Sequence, residues 1–154
     1  MGAAHDALGH QLGNLVVGAL AGLAVAAWTR RWDVAVGVVL ATLLKLVTER
    51  VVRRQMADHL AVRQRPGTSE PGAVLRGDVP SAGPSFPSGH VILVAAVACI
   101  VTPVIPAQWA WVPFVLTVAV MVGRVYVGAH NPMDTVAGLG AGLLLGGIVA
   151  AVVS

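Results

Sequence analysis

Charge is scarce in this sequence: Asp, Glu, Lys and Arg make up 11% of 154 residues, 56% are hydrophobic, and mean hydropathy is +0.80. Soluble domains carry roughly 25% charged residues, so the deficit excludes an ordinary soluble fold and points to a bilayer. Lysine is nearly absent, Lys45 being the only one, and the formal charge of +3 comes almost wholly from arginine. Such a balance is not the clustered basic footprint of a nucleic-acid binder, and no nucleic-acid partner is expected. The single cysteine, Cys99, lies inside an apolar run, which excludes an internal disulfide and argues against a thiolate metal site. No Asp-rich or His-rich cluster is visible, so neither a metal nor a cofactor is expected. The opening M-G-A-A-H-D-A-L-G-H has neither the basic start nor the cleavage site of a signal peptide, and Asp6 stands where a myristoylation signal places Ser or Thr.

What is present is long apolar runs. Leu12 to Trp28 is uncharged and long enough to cross a bilayer with modest tilt, closed by Thr29, Arg30, Arg31, Trp32 and Asp33. A second run, Val34 to about Val52, carries Thr42, Lys45, Glu49 and Arg53 at spacings of three and four, hence on one helical face. Arg53 to Pro87 then reads as a long polar connection, and a connection of that length in a compact domain is usually functional. His90 to Pro103, Trp109 to Val122 and Pro132 to Val153 supply three more crossings, the last with Gly138, Gly142 and Gly146 in small-xxx-small spacing. The expected fold is all-α, a polytopic bundle of about five membrane helices in one domain spanning residues 1–154. Alternating the crossings puts the connections after helices two and four on one side. Trp28, Trp32, Trp109 and Trp111 all fall at the opposite turns, as an interfacial aromatic belt would.

Three polar clusters converge on the first of those sides. Lys45 and the arginines after it form one. The stretch S-F-P-S-G-H-V, Ser85 to Val91, forms another: Pro87 blocks a preceding helix, Ser88 is a favoured N-cap, and Gly89 allows close backbone approach, so His90 arrives in a helix's first turn. The third is G-R-V-Y-V-G-A-H-N-P-M-D, Gly123 to Asp134, where Asn131 and Pro132 read as N-cap and first helical position and put His130 within reach of Asp134. A histidine held by a carboxylate, facing a second histidine with arginine and lysine nearby, suits phosphoryl transfer. One imidazole can attack phosphorus, the other can protonate the leaving oxygen, and cations with helix-terminal N–H groups can neutralise the oxygens without a metal.

The P-S-G-H at Pro87 to His90 and the R-x5-H-x3-D of Arg124, His130 and Asp134 resemble the second and third signature motifs of the type-2 phosphatidic acid phosphatase superfamily, which also includes the vanadium haloperoxidases. By that resemblance His130 would form a phosphohistidine, Asp134 would orient it, His90 would be the general acid, and Arg124, Ser88 and the Gly89 amide would hold phosphate oxygens. The family's first motif, K-x6-R-P, is broken: Val52 stands at that spacing from Lys45, and the Arg-Pro pair is Arg65-Pro66. Either the helix breaks after Arg54 and returns Arg65 beside Lys45, the preferred reading, or Arg53 substitutes. Gly123 also replaces the serine that often precedes the motif arginine, members commonly have six crossings, and the leading helix, residues 12–28, lies outside any motif.

Each residue also has a plainer role available. Ser88 could be only a cap, Asp134 only a first-turn acid, Arg124 a snorkelling end residue, and Lys45 a partner for Glu49. His5, His10 and His59 belong to no motif. The joint occurrence of His90, Arg124, His130 and Asp134 on one side is what those roles do not explain. The expected activity is hydrolysis of a lipid phosphomonoester or diphosphate, polyprenyl or phosphatidic-acid-like, by a cell-membrane protein, with a lipid phosphotransferase or a non-catalytic headgroup-binding module as alternatives. Partners are then the lipid phosphate and the bilayer, with room for a homo-oligomer or a larger membrane partner. Counting positive charge makes the motif side cytoplasmic, whereas the resemblance implies an extracytoplasmic site, and the sequence leaves the side open.

Overall fold

The computed structural model describes residues 2–59, 63–77 and 79–154, with the side chains of residues 2–15 and 56–59, and so of His5, His10 and His59, outside the described set. Six α-helices follow in order: α1 (Gly2–Thr29), α2 (Trp32–His59), a single turn α3 (Pro66–Ser69), α4 (Gly89–Val101), α5 (Val112–Tyr126) and α6 (Pro132–Val153). No strand occurs among the described residues; one isolated bridge pairs Gln64 with Pro84.

Helix α4 is the axis of the bundle. Its sequence, G-H-V-I-L-V-A-A-V-A-C-I-V, is apolar on every face after His90, the pattern of a helix surrounded by protein. It touches α1, α2, α5 and α6, and nearly all of its side chains are buried. The tightest seam is with α6. A Cβ added to Gly138 would lie 2.7 Å from Ser88 O, one at Gly142 2.5 Å from Ile92 O, and one at Gly146 2.6 Å from Ala96 Cα. The i, i+4 glycine spacing of α6 thus matches the i, i+4 steps Ser88, Ile92 and Ala96 along α4, backbone against backbone. Packing elsewhere is ordinary side-chain interdigitation, in a core of Ala26, Val34, Val38, Leu93, Val97, Ile100 and Val149.

The outer faces are the reverse of a soluble protein. Val17 and Leu20 on α1, Leu43 and Val47 on α2, Leu116 and Val122 on α5, and Leu144 and Ile148 on α6 are all exposed. Among the described residues two spans, Ala107–Tyr126 and Pro132–Val153, are long and apolar enough to cross a membrane by that test alone, while Val16–Thr29 and Gly89–Val104 are shorter apolar helices. Of the buried polar residues, Arg65, Ser85, Ser88, His130, Asn131, Asp134 and Thr135 belong to the α2–α4 and α5–α6 connections and the first helix turns after them, while Lys45 and Glu49 lie within α2 and Thr117 within α5. At the other end Trp28 and Trp109 line one cleft, so the α1–α2 and α4–α5 turns lie together. The expected grouping of connections is therefore present, and all four tryptophans are exposed.

Helix boundaries differ from the sequence reading where local bonding extends a helix. α2 does not break after Arg54 but runs to His59, because Lys45–Glu49 and Glu49–Arg53 ion pairs at i, i+4 support its polar turns and no proline intervenes before Pro66. α5 runs to Tyr126, four residues beyond Val122, and carries Arg124 in its last turn. α1 closes with Arg30 in the left-handed region (φ 55°), Arg31 N–H donating to Ala26 O (3.0 Å) and Arg30 N–H to Ala27 O (3.3 Å), the Schellman pattern with Arg at the usual glycine position. α6 begins and ends as read from the sequence.

Candidate active site

Two connections form the polar end. In the first, Arg63 to Arg65 runs antiparallel to Gly83 to Ser85: Arg65 N–H donates to Gly83 O (3.1 Å) and Ser85 N–H to Arg63 O (2.9 Å). The Ser85 hydroxyl donates back toward Arg63 O and Gln64 O, both at 3.2 Å. This strap is fastened to the second connection by Arg65 Nη1, which donates to Ala129 O at 2.9 Å. Arg76 adds a second fastening, N–H to Val127 O (3.1 Å) and Nη1 to Tyr126 O (2.8 Å), with its guanidinium 4.5 Å from the Tyr126 ring centre. Gly128 makes the turn between them: its φ is +77°, and a Cβ there would lie 2.8 Å from Val74 O.

His130 emerges from that turn into the protein and is 4% exposed. Its Nδ1 lies 2.8 Å from the Ser85 carbonyl. A carbonyl can only accept, so Nδ1 carries the proton and the lone pair is on Nε2. The carboxylate expected to orient it is further away: Asp134 Oδ2 is 4.0 Å from Nδ1 and accepts instead from Asn131 N–H at 2.9 Å, closing the first turn of α6. Asp134 therefore faces the ring as a charge, and a main-chain carbonyl holds it. The other oxygen, Oδ1, is 3.7 Å from Arg63 Nη1, and the Asp134 carbonyl accepts from Ser88 N–H at 3.0 Å, tying the starts of α4 and α6 together.

Burial pushes the His130 imidazole down to about 3, with Arg65, Arg124 and His90 opposing its protonation and the Ser85 bond acting the other way. An unfolded histidine binds its proton near 6.5. Between those values the unfolded chain holds more protons, so this group's contribution is full above pH 6.5 and is lost as pH falls toward 3. Carbon-13 labelling of the His130 ring in the ligand-free protein is expected to show a neutral imidazole down to pH 5; a midpoint near 6.5 would be contrary.

Among the described residues Arg65 and Arg124 act on His130, Arg63 reaches the far oxygen of Asp134, and Lys45 and Arg53 share Glu49 on α2. Lys45 Nζ is 3.1 Å from Glu49 Oε2 in a buried pair, and Arg53 Nη2 is 3.8 Å from Glu49 Oε1. Arg65 is 7% exposed with no acid within ion-pair distance among the described residues, and burial followed by repulsion from Arg53 lowers its proton affinity. Arg124 Nε and Ser88 Oγ are buried without a hydrogen-bond partner among the described residues. Ser88 stands at the N-cap of α4 yet makes no capping bond, so the plain capping role does not describe its hydroxyl. His90 occupies the second position of that helix, half-buried, and Lys45 and Glu49 pack against Gly89, where a side chain would strike the Glu49 carboxylate. Buried donors and positive charge beside a neutral imidazole are the chemistry that suits a tetrahedral anion. Ser88→Ala removes a hydroxyl that bonds to none of the described residues. It is expected to leave the unfolding midpoint unchanged while lowering kcat/KM for a phosphate ester about 10-fold; a stability loss without a kinetic effect would return Ser88 to a structural role.

The PAP2 superfamily model matches residues 32–154, most of the chain and every site residue named above. The chain belongs to the PAP2 superfamily. A decaprenylphosphoryl-5-phosphoribose phosphatase of Mycobacterium tuberculosis is 31% identical over 141 residues, 91% of this chain and 71% of that protein. An undecaprenyl-diphosphatase of Sulfolobus acidocaldarius is 40% identical over 55 residues, 35% of this chain and 26% of that protein. No solved structure matches the chain.

Within this PAP2 domain the two arginine alternatives for the divided first motif can be located. Arg65 returns, but on the His130 wall against Ala129, while Arg53 remains on α2 with Glu49, so the two alternatives occupy different places. Three contributors escaped the sequence reading: the Ser85 carbonyl, Arg63, and Glu49 as a wall of the cradle. A main-chain acceptor has no residue signature. A charge census carried the other signal, since beyond Asp78 the only charged side chains are Arg124 and Asp134.

Proposed function

We propose that the chain is a multi-pass membrane phosphatase, with α1, α2, α4, α5 and α6 as its five crossings, that hydrolyses a lipid phosphomonoester through a phosphohistidine on His130. The observation that carries this is His130 itself: a neutral imidazole, proton fixed on Nδ1 by Ser85 O, inside a cradle of Arg65, Arg124 and Ser88 donors. The apolar outer faces of α1, α2, α5 and α6 support the membrane setting, and the two relatives, a polyprenyl-linked sugar phosphate phosphatase and a polyprenyl diphosphatase by name, favour a polyprenyl-linked phosphate over a glycerolipid.

In the first step the Nε2 lone pair attacks phosphorus, the P–O bond to the lipid-linked group breaks, and His90 delivers a proton to the departing oxygen. Asp134, 4.0 Å from the ring, stabilises the positive charge that His130 acquires. In the second step His90 takes a proton from water, the oxygen attacks phosphorus, the P–N bond breaks, and phosphate leaves with His130 restored. Arg65, Arg124, Ser88 Oγ and the Gly89 amide hold the non-bridging oxygens, and Lys45, packed beside Gly89, adds an ammonium donor to the same wall. These donors are cations and N–H or O–H groups, which supports a reaction without metal. Purified protein in neutral detergent is expected to release free phosphate from a polyprenyl phosphomonoester at the same rate with and without chelator. Loss of activity in chelator contradicts the metal-free route, and phosphate found on an acceptor with none released makes it a transferase.

A further inference from the structure

Most of α4 is buried, but His90 and Val94, one turn apart on one face, are only half-buried. Beyond Val94 that face continues through Val97, Ala98 and Val101 as the floor of a groove of about 470 Å³. Helices α1 and α5, which both pack on α4, are its walls. Gly18, Ala21, Gly22 and Val25, at i, i+3, i+4 and i+7, make the α1 wall, and Val112, Pro113 and Leu116 make the α5 wall. Trp28 and Trp109 stand at the far end, and all the lining residues are apolar or aromatic. The volume falls within the roughly 300–1,000 Å³ of ordinary ligand sites.

Both the floor and the α5 wall lead to the catalytic cradle. On α4 the groove face begins one turn after His90. On α5 it runs from Leu116 through Val120 to Arg124, at i, i+4 and i+8. A Cβ at Gly123, i+7 from Leu116, would meet nothing within 4 Å among the described residues, so the α5 side is open up to Arg124.

We infer that this groove seats the hydrocarbon tail of the substrate, with α4 carrying both the proton donor and the floor. This rests on the phosphatase reading above. An ester whose phosphorus meets His130 places its bridging oxygen at His90, and the carbons beyond that oxygen enter the apolar space one turn along the same face. A polar headgroup there would find no partner among the lining side chains, whereas a hydrocarbon needs none. From His90 to Val101 the face rises roughly 16 Å at about 1.5 Å per residue, so the groove reads the first part of a long tail and leaves the remainder to the bilayer. Helix α1, which belongs to no motif, thereby gains a role in substrate binding.

The test measures kcat/KM in neutral micelles for a polyprenyl phosphomonoester and for a short water-soluble alkyl phosphomonoester, in the natural protein and in variants. Ala21→Phe and Leu116→Trp enlarge exposed residues on opposite walls. Each is expected to lower the ratio of long-tailed to short-tailed kcat/KM about 10-fold, through KM of the long ester. Taking the ratio within one preparation cancels any loss of folded protein. Leu144→Trp, on the outer face of α6 and outside the groove, is expected to leave the ratio as it is. A ratio unchanged in both wall variants, or lowered equally by Leu144→Trp, overturns the groove while leaving the phosphatase reading intact. Failure of the natural protein to hydrolyse either ester overturns that reading and this inference with it. If light scattering shows the wall variants changing oligomeric state with the ratio unaltered, a second copy covers the groove and the inference falls.

Discussion

His130→Ala is expected to lower turnover of a lipid phosphate by about 10³-fold or more, since without Nε2 neither formation nor hydrolysis of a covalent intermediate can occur. The substitution also leaves Ser85 O without its donor, so some loss of stability accompanies it. His130→Asn separates the two effects, because an asparagine amide can donate to Ser85 O while supplying no nucleophile. It is expected to be as inactive as the alanine variant but closer to the natural protein in its thermal midpoint. Activity in His130→Asn above a tenth of the natural level would place the nucleophile elsewhere.

Gly142→Val is expected to have the largest effect on stability. A Cβ at this position would lie 2.5 Å from Ile92 O and 2.7 Å from Ala95 Cβ, so α4 and α6 must separate to admit it. Overpacking of a buried seam costs about 3 kcal/mol, or a fall of roughly 10 °C in the midpoint of a domain this size. The same displacement pulls Ser88 from the Asp134 carbonyl, so activity should fall with stability. Gly140 and Gly147 lie on the same helix, where an added Cβ would meet nothing within 4 Å, and Gly140→Ala or Gly147→Ala is expected to be neutral or to stabilise by about 0.5–1 kcal/mol. Equal effects at Gly142 and Gly140 in thermal unfolding would contradict the close-packed seam.

Much of this architecture was readable from local chemistry. α6 was bounded by Asn131-Pro132 at its start, and its glycine period foretold a close approach of some neighbouring backbone, though not that the neighbour would be α4. His90, Arg124, His130 and Asp134 were readable because motif spacing and helix starts fix where such residues point. The distal arginine was harder. Nothing near Arg65 says that it donates to Ala129 O, 64 residues away in sequence, since that contact depends on the Gly83–Ser85 strap and the Gly128 turn. The hold on His130 was legible only in part, for a related reason: Asp134 does lie 4.0 Å from the ring, but the hydrogen bond goes elsewhere. Sequence offers Asp134 at i+4, yet the N-terminal amide of α6 claims that carboxylate, and the ring turns to a main-chain oxygen. The length of α2 was also missed, because a stripe of Lys45, Glu49 and Arg53 reads as a break in an apolar run although its ion pairs extend the helix.

The most direct test of the central claim is rapid quenching during turnover of a polyprenyl phosphomonoester, followed by mapping of the phosphorylated residue under alkaline conditions that preserve phosphohistidine. The expected result is a burst of phosphoenzyme with phosphate on Nε2 of His130, since Nδ1 is committed to Ser85 O. Phosphate on Nδ1, on His90 or on a serine, or full turnover with no phosphoenzyme at any time, would contradict it.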